Sequence, residues 1–111
     1  MPKESSGELL QGTLSLLILR VLARGPNHGF AIARCIQRVS GEVLRVEEGS
    51  LYPALHRMEL DGWLRSEWRV TENKRRAKYY RLTRGGSEQL ERETRRWHAI
   101  AGAMSAILRE A

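Results

Sequence analysis

Apolar residues recur at helical spacing along much of this chain. Leu9 to Arg24 is apolar around most of its circumference, which predicts a first helix that is buried on several sides. Gly25-Pro26 is typical of a helix end. A second helix is predicted from Asn27-His28-Gly29 to about Val39, and a short strand is predicted after it from Val43, Leu44 and Val46.

The segment from Glu48 to Arg65 predicts a short helix with one apolar and one polar side. At about 100° per residue, Leu51, Leu55 and Met58 lie on one stripe. Gly62 is placed where a C-terminal cap is expected. Because a proline is tolerated near a first turn, the helix is expected to begin at Glu48 to Ser50. The residues roughly opposite the apolar stripe are Ser50, Pro53, His56 and Arg57.

Two strand-like runs follow this helix directly. Leu64 to Val70 and Ala77 to Leu82 flank Thr71 to Arg76, a polar and basic hairpin tip. A helix with a polar face followed by a cationic hairpin is the layout of a winged helix-turn-helix, in which the helix suits a major groove and the hairpin suits the adjacent backbone. The predicted fold is therefore mainly α with a small β-hairpin wing.

A last helix is predicted from Thr83 onward, and it carries an apolar seam at heptad spacing. The seam either folds back onto the first helix of the same chain or is covered by a second copy. We favour a homodimer in which the first and last helices share the interface. Residues 1–82 would then form the DNA-binding part and residues 83–111 a dimerisation helix of the same compact unit. The seam residues are Leu90, Thr94, Trp97, Ala101, Met104 and Leu108.

Composition points to nucleic acid as the first partner to consider. The chain has 111 residues, enough for one domain, with a formal net charge of +6 and a pI near 10.2. A solvated charged face is the alternative interpretation of such a charge run. Of the 19 basic residues, eight lie close together: Arg65, Arg69, Lys74, Arg75, Arg76, Lys78, Arg81 and Arg84.

Other classes of function find no support in the sequence. The lone Cys35 beside an apolar stripe predicts a buried, inert thiol rather than a redox sensor, a disulfide framework or a thiolate metal site. No metal-ligand spacing or catalytic pattern is present, and Gly85-Gly86 lacks the rest of a phosphate-binding loop. We therefore expect no enzyme activity, no catalytic residues, no metal and no cofactor. With no signal-peptide pattern, and Leu14 to Leu22 too short to span a bilayer, a cytoplasmic protein without membrane contact is expected.

The helix from Glu48 offers candidate DNA-reading residues, which we place in its N-terminal half. Arg57 could bind a guanine with two hydrogen bonds, and His56 and Ser50 could each donate or accept one. Tyr52 has two open interpretations. It either contacts DNA from this face, or it packs under the hairpin and gives only its hydroxyl to a phosphate.

The hairpin offers candidate phosphate-binding residues. Asn73, Lys74, Arg75 and Arg76, with Lys78 on the following strand, lie where no apolar contact requires them. A phosphate-binding role is favoured over a role in solubility alone.

These motifs resemble the PadR family of bacterial transcriptional regulators. The matching segments are Gly49-Ser-Leu-Tyr-Pro-Ala-Leu-His-Arg-Met-Glu-Leu-Asp-Gly62, Lys78-Tyr-Tyr-Arg-Leu-Thr-Arg-Gly85 and His28-Gly-Phe-Ala-Ile32. The resemblance implies a winged helix-turn-helix, a C-terminal dimerisation helix, and repression that is controlled by an effector in some members. In short members, a tryptophan on the last helix lines a pore at the dimer interface and stacks on planar drugs. Trp97 matches it, with Thr94 and Ala101 as its seam neighbours, and dimer packing is its other interpretation.

The sequence therefore predicts a homodimeric, sequence-specific repressor that binds a near-palindromic double-stranded operator. A small planar aromatic effector would release it. Two alternatives belong to other classes: a protein that is primarily a multidrug-type small-molecule sensor, and a winged-helix module that binds proteins only. The cationic hairpin argues against the second, because a protein-docking wing would not ordinarily concentrate Lys74, Arg75, Arg76 and Lys78.

Overall fold

The computed structural model describes the backbone of residues 3–111 and the side chains of residues 13–111. It confirms the predicted class, a mainly helical winged helix-turn-helix with a β-hairpin wing. The elements in chain order are α1 (Lys3–Leu22), β1 (Asn27–His28), α2 (Gly29–Val39), α3 (Glu48–Leu60), β2 (Leu64–Val70), β3 (Arg76–Leu82) and α4 (Arg84–Glu110).

The core lies where α1, α2 and α3 meet the base of the sheet. Ile18 and Leu19 of α1 are fully buried, whereas Arg20 points to solvent, as the broad apolar circumference of this helix predicts. The predicted stripe of α3 is also buried. The buried core residues are Leu14, Ile18, Leu19, Leu22, Ile32, Ile36, Leu51, Ala54, Leu55, Met58, Leu64 and Tyr80.

The sheet has three strands in the order β1-β3-β2, all antiparallel. The hairpin of β2 and β3 was predicted, whereas β1 was not. It consists only of Asn27 and His28, which pair with Tyr80 and Tyr79 of β3. Two residues are too few to show a strand pattern in the sequence, so this edge of the sheet is visible only in the fold.

The predicted strand at Val43, Leu44 and Val46 does not form. Gly41 and Glu42 adopt positive φ values of 63° and 69° at the end of α2, and the chain then runs without regular structure to α3. The segment pairs with none of the three strands of the sheet. Val43 is exposed, while Leu44 and Val46 pack half-buried against the core.

The helix ends follow local chemistry. Asp61 is the C-cap of α3, and Gly62 after it has a φ of 82°, a value that favours glycine. α3 begins at Glu48, within the predicted range, and Pro53 lies in its second turn, where its missing N–H leaves the Gly49 carbonyl without its helical partner. α1 ends at Leu22 rather than Arg24, and its backbone is already helical before Leu9, the predicted start.

The last helix packs on its own chain over its first part only. Near its start it packs on α1, where the Ser15 hydroxyl donates a hydrogen bond of 3.4 Å to Glu93 Oε1, and Leu90 packs against the core. Beyond Thr94 the apolar residues face solvent. The exposed ones are Trp97, Ile100, Met104, Ile107 and Leu108.

Two remaining sequence predictions concern single features. Cys35 is half-buried rather than buried, because it lies at the side of α2 with the Arg38 guanidinium 4.0 Å from its sulfur. Within the described part of the chain, no helix combines the length and the apolar character that a bilayer crossing requires.

Candidate nucleic-acid interface

The polar side of α3 is presented to solvent. Pro53, His56 and Arg57 are exposed, Tyr52 is 44% exposed, and Ser50 is half-buried. The prediction that they cluster in the N-terminal half is wrong for His56 and Arg57, since Arg57 lies in the last turn. The face therefore extends over most of α3, and Ser50 and Arg57 are separated by about 10 Å along the axis. This length matches roughly three base-pair steps.

Tyr52 packs on the start of α2 as well as reaching solvent. A Cβ added at Gly29 would lie 2.7 Å from Cε1 of Tyr52 and 2.9 Å from its hydroxyl oxygen. Only a glycine leaves room for the ring at this contact. Neither of the two interpretations of Tyr52 predicted this contact with Gly29. The Tyr52 ring packs on α2, and its exposed part remains on the polar side of α3.

The wing tip is a tight turn with its cations displayed outward. Thr71 N–H donates to the Arg75 carbonyl at 2.7 Å, and Lys74 N–H donates to the Thr71 carbonyl at 2.9 Å. Lys74 has a φ of 61°, as expected for the left-handed residue of a three-residue hairpin loop. Asn73, Lys74 and Arg75 are all exposed.

Several wing cations already have partners within the chain. The Arg76 guanidinium lies over the Trp68 ring at 5.1 Å, and Lys78 Nζ is 3.5 Å from Glu59 Oε1. Glu67 forms an ion pair with Arg69 at 2.6 Å, so it does not neutralise the positive charges of the wing tip. Among the described residues, Lys74 and Arg75 make no ion pair, which leaves both available to an anionic partner.

Glu59 connects α3 to the sheet, a role that was not predicted. The Ser66 hydroxyl donates to Glu59 Oε2 at 2.5 Å, and Lys78 approaches the other carboxylate oxygen. Burial raises the pKa of the neighbouring Tyr80 phenol. Electrostatic interactions with Glu59 and, after it, with Tyr52 raise this pKa further. Glu59 thus fixes the position of the wing relative to α3. The presence of Glu59 in the Gly49–Gly62 motif was the available signal, but its partners Ser66 and Lys78 are apparent only in the fold.

The site contains no arrangement suited to a metal. Within the described residues, no group of three or more His, Cys, Asp and Glu side chains could hold an ion. The interface instead consists of a polar helix face beside an exposed cationic hairpin.

Comparison with known proteins identifies the family. The sequence model of the PadR-like transcriptional regulator family matches residues 18–92. The chain belongs to this family. Its members are transcriptional regulators rather than enzymes, in agreement with the sequence prediction, and the family function is DNA-binding regulation.

Relatives and solved structures agree with this assignment. The chain is 37% identical over 94 residues to a transcriptional regulator of Mycobacterium tuberculosis, covering 85% of this chain and 84% of that protein. It is 41% identical over 87 residues, or 78% of this chain, to an uncharacterized 37.1 kDa protein of a Streptomyces fradiae transposon, but spans only 24% of that protein's length. A crystal structure of a PadR family regulator from Eggerthella lenta superposes with a TM-score of 0.78 at 33% identity, covering 94% of this chain and 88% of that one. A PadR-like regulator from Bacillus cereus gives a TM-score of 0.80 at 25% identity, with 94% and 99% covered.

Proposed function

We propose that this PadR-family protein is a homodimeric repressor that binds a near-palindromic operator in cytoplasmic DNA. Each subunit inserts α3 into a major groove and places its wing on the flanking backbone. Two-fold symmetry sets the two α3 helices about one helical turn apart, on the order of 10 base pairs centre to centre. Occupied promoter DNA would then be closed to the transcription machinery.

The observation that carries this proposal is the pairing of an uncovered polar helix face with a cationic hairpin. Ser50, Tyr52, Pro53, His56 and Arg57 supply the helix face, and Arg57 is the residue best suited to a guanine because its guanidinium can donate two parallel hydrogen bonds. The wing supplies Asn73, Lys74, Arg75 and Arg76 to phosphates. We assign Lys78 a smaller direct role, because its ammonium group lies beside Glu59.

Substitutions should separate base reading from backbone binding. Arg57→Ala should cost about 1–3 kcal/mol of binding free energy on the operator and relax the preference at one base pair. Arg75→Ala should weaken operator and random DNA alike, because phosphates carry no sequence information. It should also reduce the slope of log K against log salt by about one unit per lost contact. The measurement is fluorescence anisotropy of labelled duplexes between low and physiological salt.

The wild-type protein and a matched control complete this experiment. If each subunit neutralises at least about three phosphates, the wild-type slope should be steeper than about −5. Arg109→Ala, which removes an exposed arginine at the far end of α4, should leave both affinity and slope unchanged. A wild-type slope near zero would rule out the proposed function. Equal loss on operator and random DNA for Arg57→Ala would instead make Arg57 a phosphate contact.

The dimer in this proposal is built on the exposed seam of α4. An apolar stripe of this length on a small domain is unfavourable in water unless another surface covers it. A second copy would cover it with an identical stripe, as a two-fold interface requires.

Effector control forms a second part of the proposal. Trp97 is 43% exposed in the middle of the seam, and its seam neighbours Thr94 and Ala101 are small and half-buried. In a two-fold dimer the two indoles would approach each other with space beside them. A planar aromatic compound could stack there, and aromatic pairs contribute roughly 0.5–1.5 kcal/mol beyond the burial of area.

Planar aromatic compounds are therefore expected to quench Trp97 fluorescence and to lower operator affinity. To act as an inducer, such a ligand must bind the DNA-free arrangement more tightly than the DNA-bound one. A Trp97→Ala dimer should still bind the operator but ignore the ligand. Since Trp63 and Trp68 also fluoresce, titrations of the two proteins are compared directly. Identical quenching in both would confine Trp97 to packing.

A further inference from the structure

The wing carries an exposed apolar pair that the predicted set of DNA-binding residues does not include. Trp68 and Val70 of β2 are 59% and 66% exposed. Neither contributes to the core, which ends along this strand at Leu64. An exposed tryptophan beside an exposed valine on one short strand is unusual for a surface that only needs to be solvated.

This apolar pair lies on the side of the wing that faces α3. Alternate residues of a strand share a face, so Trp68 and Val70 are on the same side as Ser66, whose hydroxyl donates to Glu59 of α3. Lys78, the cross-strand partner of Trp68, also reaches Glu59. Two independent contacts therefore orient this face toward the helix.

Cations surround the apolar pair. Arg76, the cross-strand partner of Val70, places its guanidinium 5.1 Å from the centre of the Trp68 ring. Lys74 and Arg75 follow at the tip, and Lys78 lies directly across from Trp68 on the same face. A surface with an apolar centre and a cationic rim fits a partner that combines hydrocarbon with negative charge. The backbone of DNA has this composition, since each deoxyribose lies between two phosphates.

We propose that Trp68 and Val70 pack against deoxyribose groups of the DNA backbone while Arg76 binds the adjoining phosphate. The DNA strand concerned borders the major groove occupied by α3. Its backbone would pass between α3 and the wing tip, along the face of the wing that carries Trp68 and Val70. This inference rests on the proposed function and adds an apolar, charge-independent contribution to binding. The Arg76 guanidinium lies over the Trp68 ring, so the phosphate contact would be beside the sugar contact.

Trp68→Ala tests the inference because it removes an apolar contact without changing charge. We expect the affinity for operator and for random duplex to fall about tenfold. The salt slope should remain that of the wild type, in contrast to the reduced slope of Arg75→Ala. Trp68→Phe should retain most of the affinity. Thermal unfolding of each variant should match the wild type, because the side chain lies outside the core.

Val70→Ala has a matched control in Val39→Ala, since Val39 on α2 is also 66% exposed. Val70→Ala should weaken binding about twofold to threefold, whereas Val39→Ala should not change it. If Trp68→Ala leaves the DNA affinity unchanged, the inference is overturned and the proposed function remains intact. The same result is expected if the patch binds an acidic peptide instead of DNA. A slope reduced by one unit would also overturn it, by showing that Trp68 acts only through the charge of Arg76. Failure of the wild-type protein to bind DNA would overturn both proposals.

Discussion

Replacing Met104 and Leu108 together by glutamate is expected to convert the proposed dimer to monomers or to make the protein insoluble. These side chains are 58% and 80% exposed in the single chain, and they continue the seam from Trp97. In the proposed two-fold interface, two charges per subunit would lie on an apolar stripe, near their symmetric copies. Sedimentation or light scattering at micromolar concentration measures the change.

Operator binding should be lost with the dimer. A monomer binds one half-site, whereas a dimer binds the second half-site at a high effective concentration, so the operator affinity should fall by about 100-fold or more. A suitable control is His98→Glu with Ala99→Glu, which adds the same charge to exposed positions outside the apolar stripe. This control should remain a dimer. A soluble dimer of the Met104→Glu, Leu108→Glu variant would contradict the assignment of α4 to the interface.

Those parts of the fold that depend on local pattern were predictable from the sequence. The stripe of Leu51, Leu55 and Met58 defined the buried side of α3, and Gly62 marked its end because few other residues tolerate a φ of 82°. The polar tip between two strand-like runs defined the wing for a similar reason, since the turn chemistry lies within a few residues.

Those parts that depend on distant contacts were not predictable. β1 exists because β3 offers a free edge to two residues that have no strand pattern of their own. The segment at Val43 has the composition of a strand, yet it pairs with none of the three strands. Pattern specifies which residues prefer an extended backbone, whereas the fold decides which of them find a hydrogen-bonding partner.

The candidate site divides in the same way. The exposed residues of α3 and of the wing tip could be selected because nothing apolar requires their positions. The partners that orient them are distant in sequence: Glu59 with Ser66 and Lys78, and Tyr52 with Gly29. These contacts also reduce the number of wing cations that are available to DNA, which charge counting along the sequence does not show.

The junction between α3, the wing and α4 is the other place where a single change should have a large effect. Thr83 is the N-cap of α4: its side chain accepts a hydrogen bond from Gly86 N–H at 3.0 Å and donates one to the Gly62 carbonyl at 2.6 Å. Its own N–H donates to the Trp63 carbonyl at 3.0 Å. The start of the proposed dimerisation helix is therefore bonded directly to the end of the proposed recognition helix.

Gly86→Ala is expected to disrupt this junction. A Cβ at Gly86 would overlap the carbonyl oxygen of Trp63, a backbone atom that cannot rotate away, and would also press on Leu82 at 3.3 Å. The start of α4 must then move or the Thr83 bonds must break. We expect a loss of about 2–4 kcal/mol in the free energy of unfolding and a Tm lower by about 10 °C or more. Calorimetry or thermal circular dichroism measures both.

Gly85→Ala provides the matched control, because it places the same methyl group on the neighbouring residue. There the nearest atoms, the Gly62 carbonyl oxygen and Thr83 Oγ1, would be 3.6 Å from the new Cβ, which is ordinary van der Waals contact. Alanine is also the better helix former, so this variant should be at least as stable as the wild type. Because α4 would set the position of the second subunit in the proposed dimer, any Gly86→Ala protein that folds should bind the operator more weakly while each wing still binds random DNA. If the two alanine variants have the same free energy of unfolding, the junction accommodates the new methyl group without loss of stability. The spacing of the two α3 helices would then have to be fixed elsewhere in the proposed dimer.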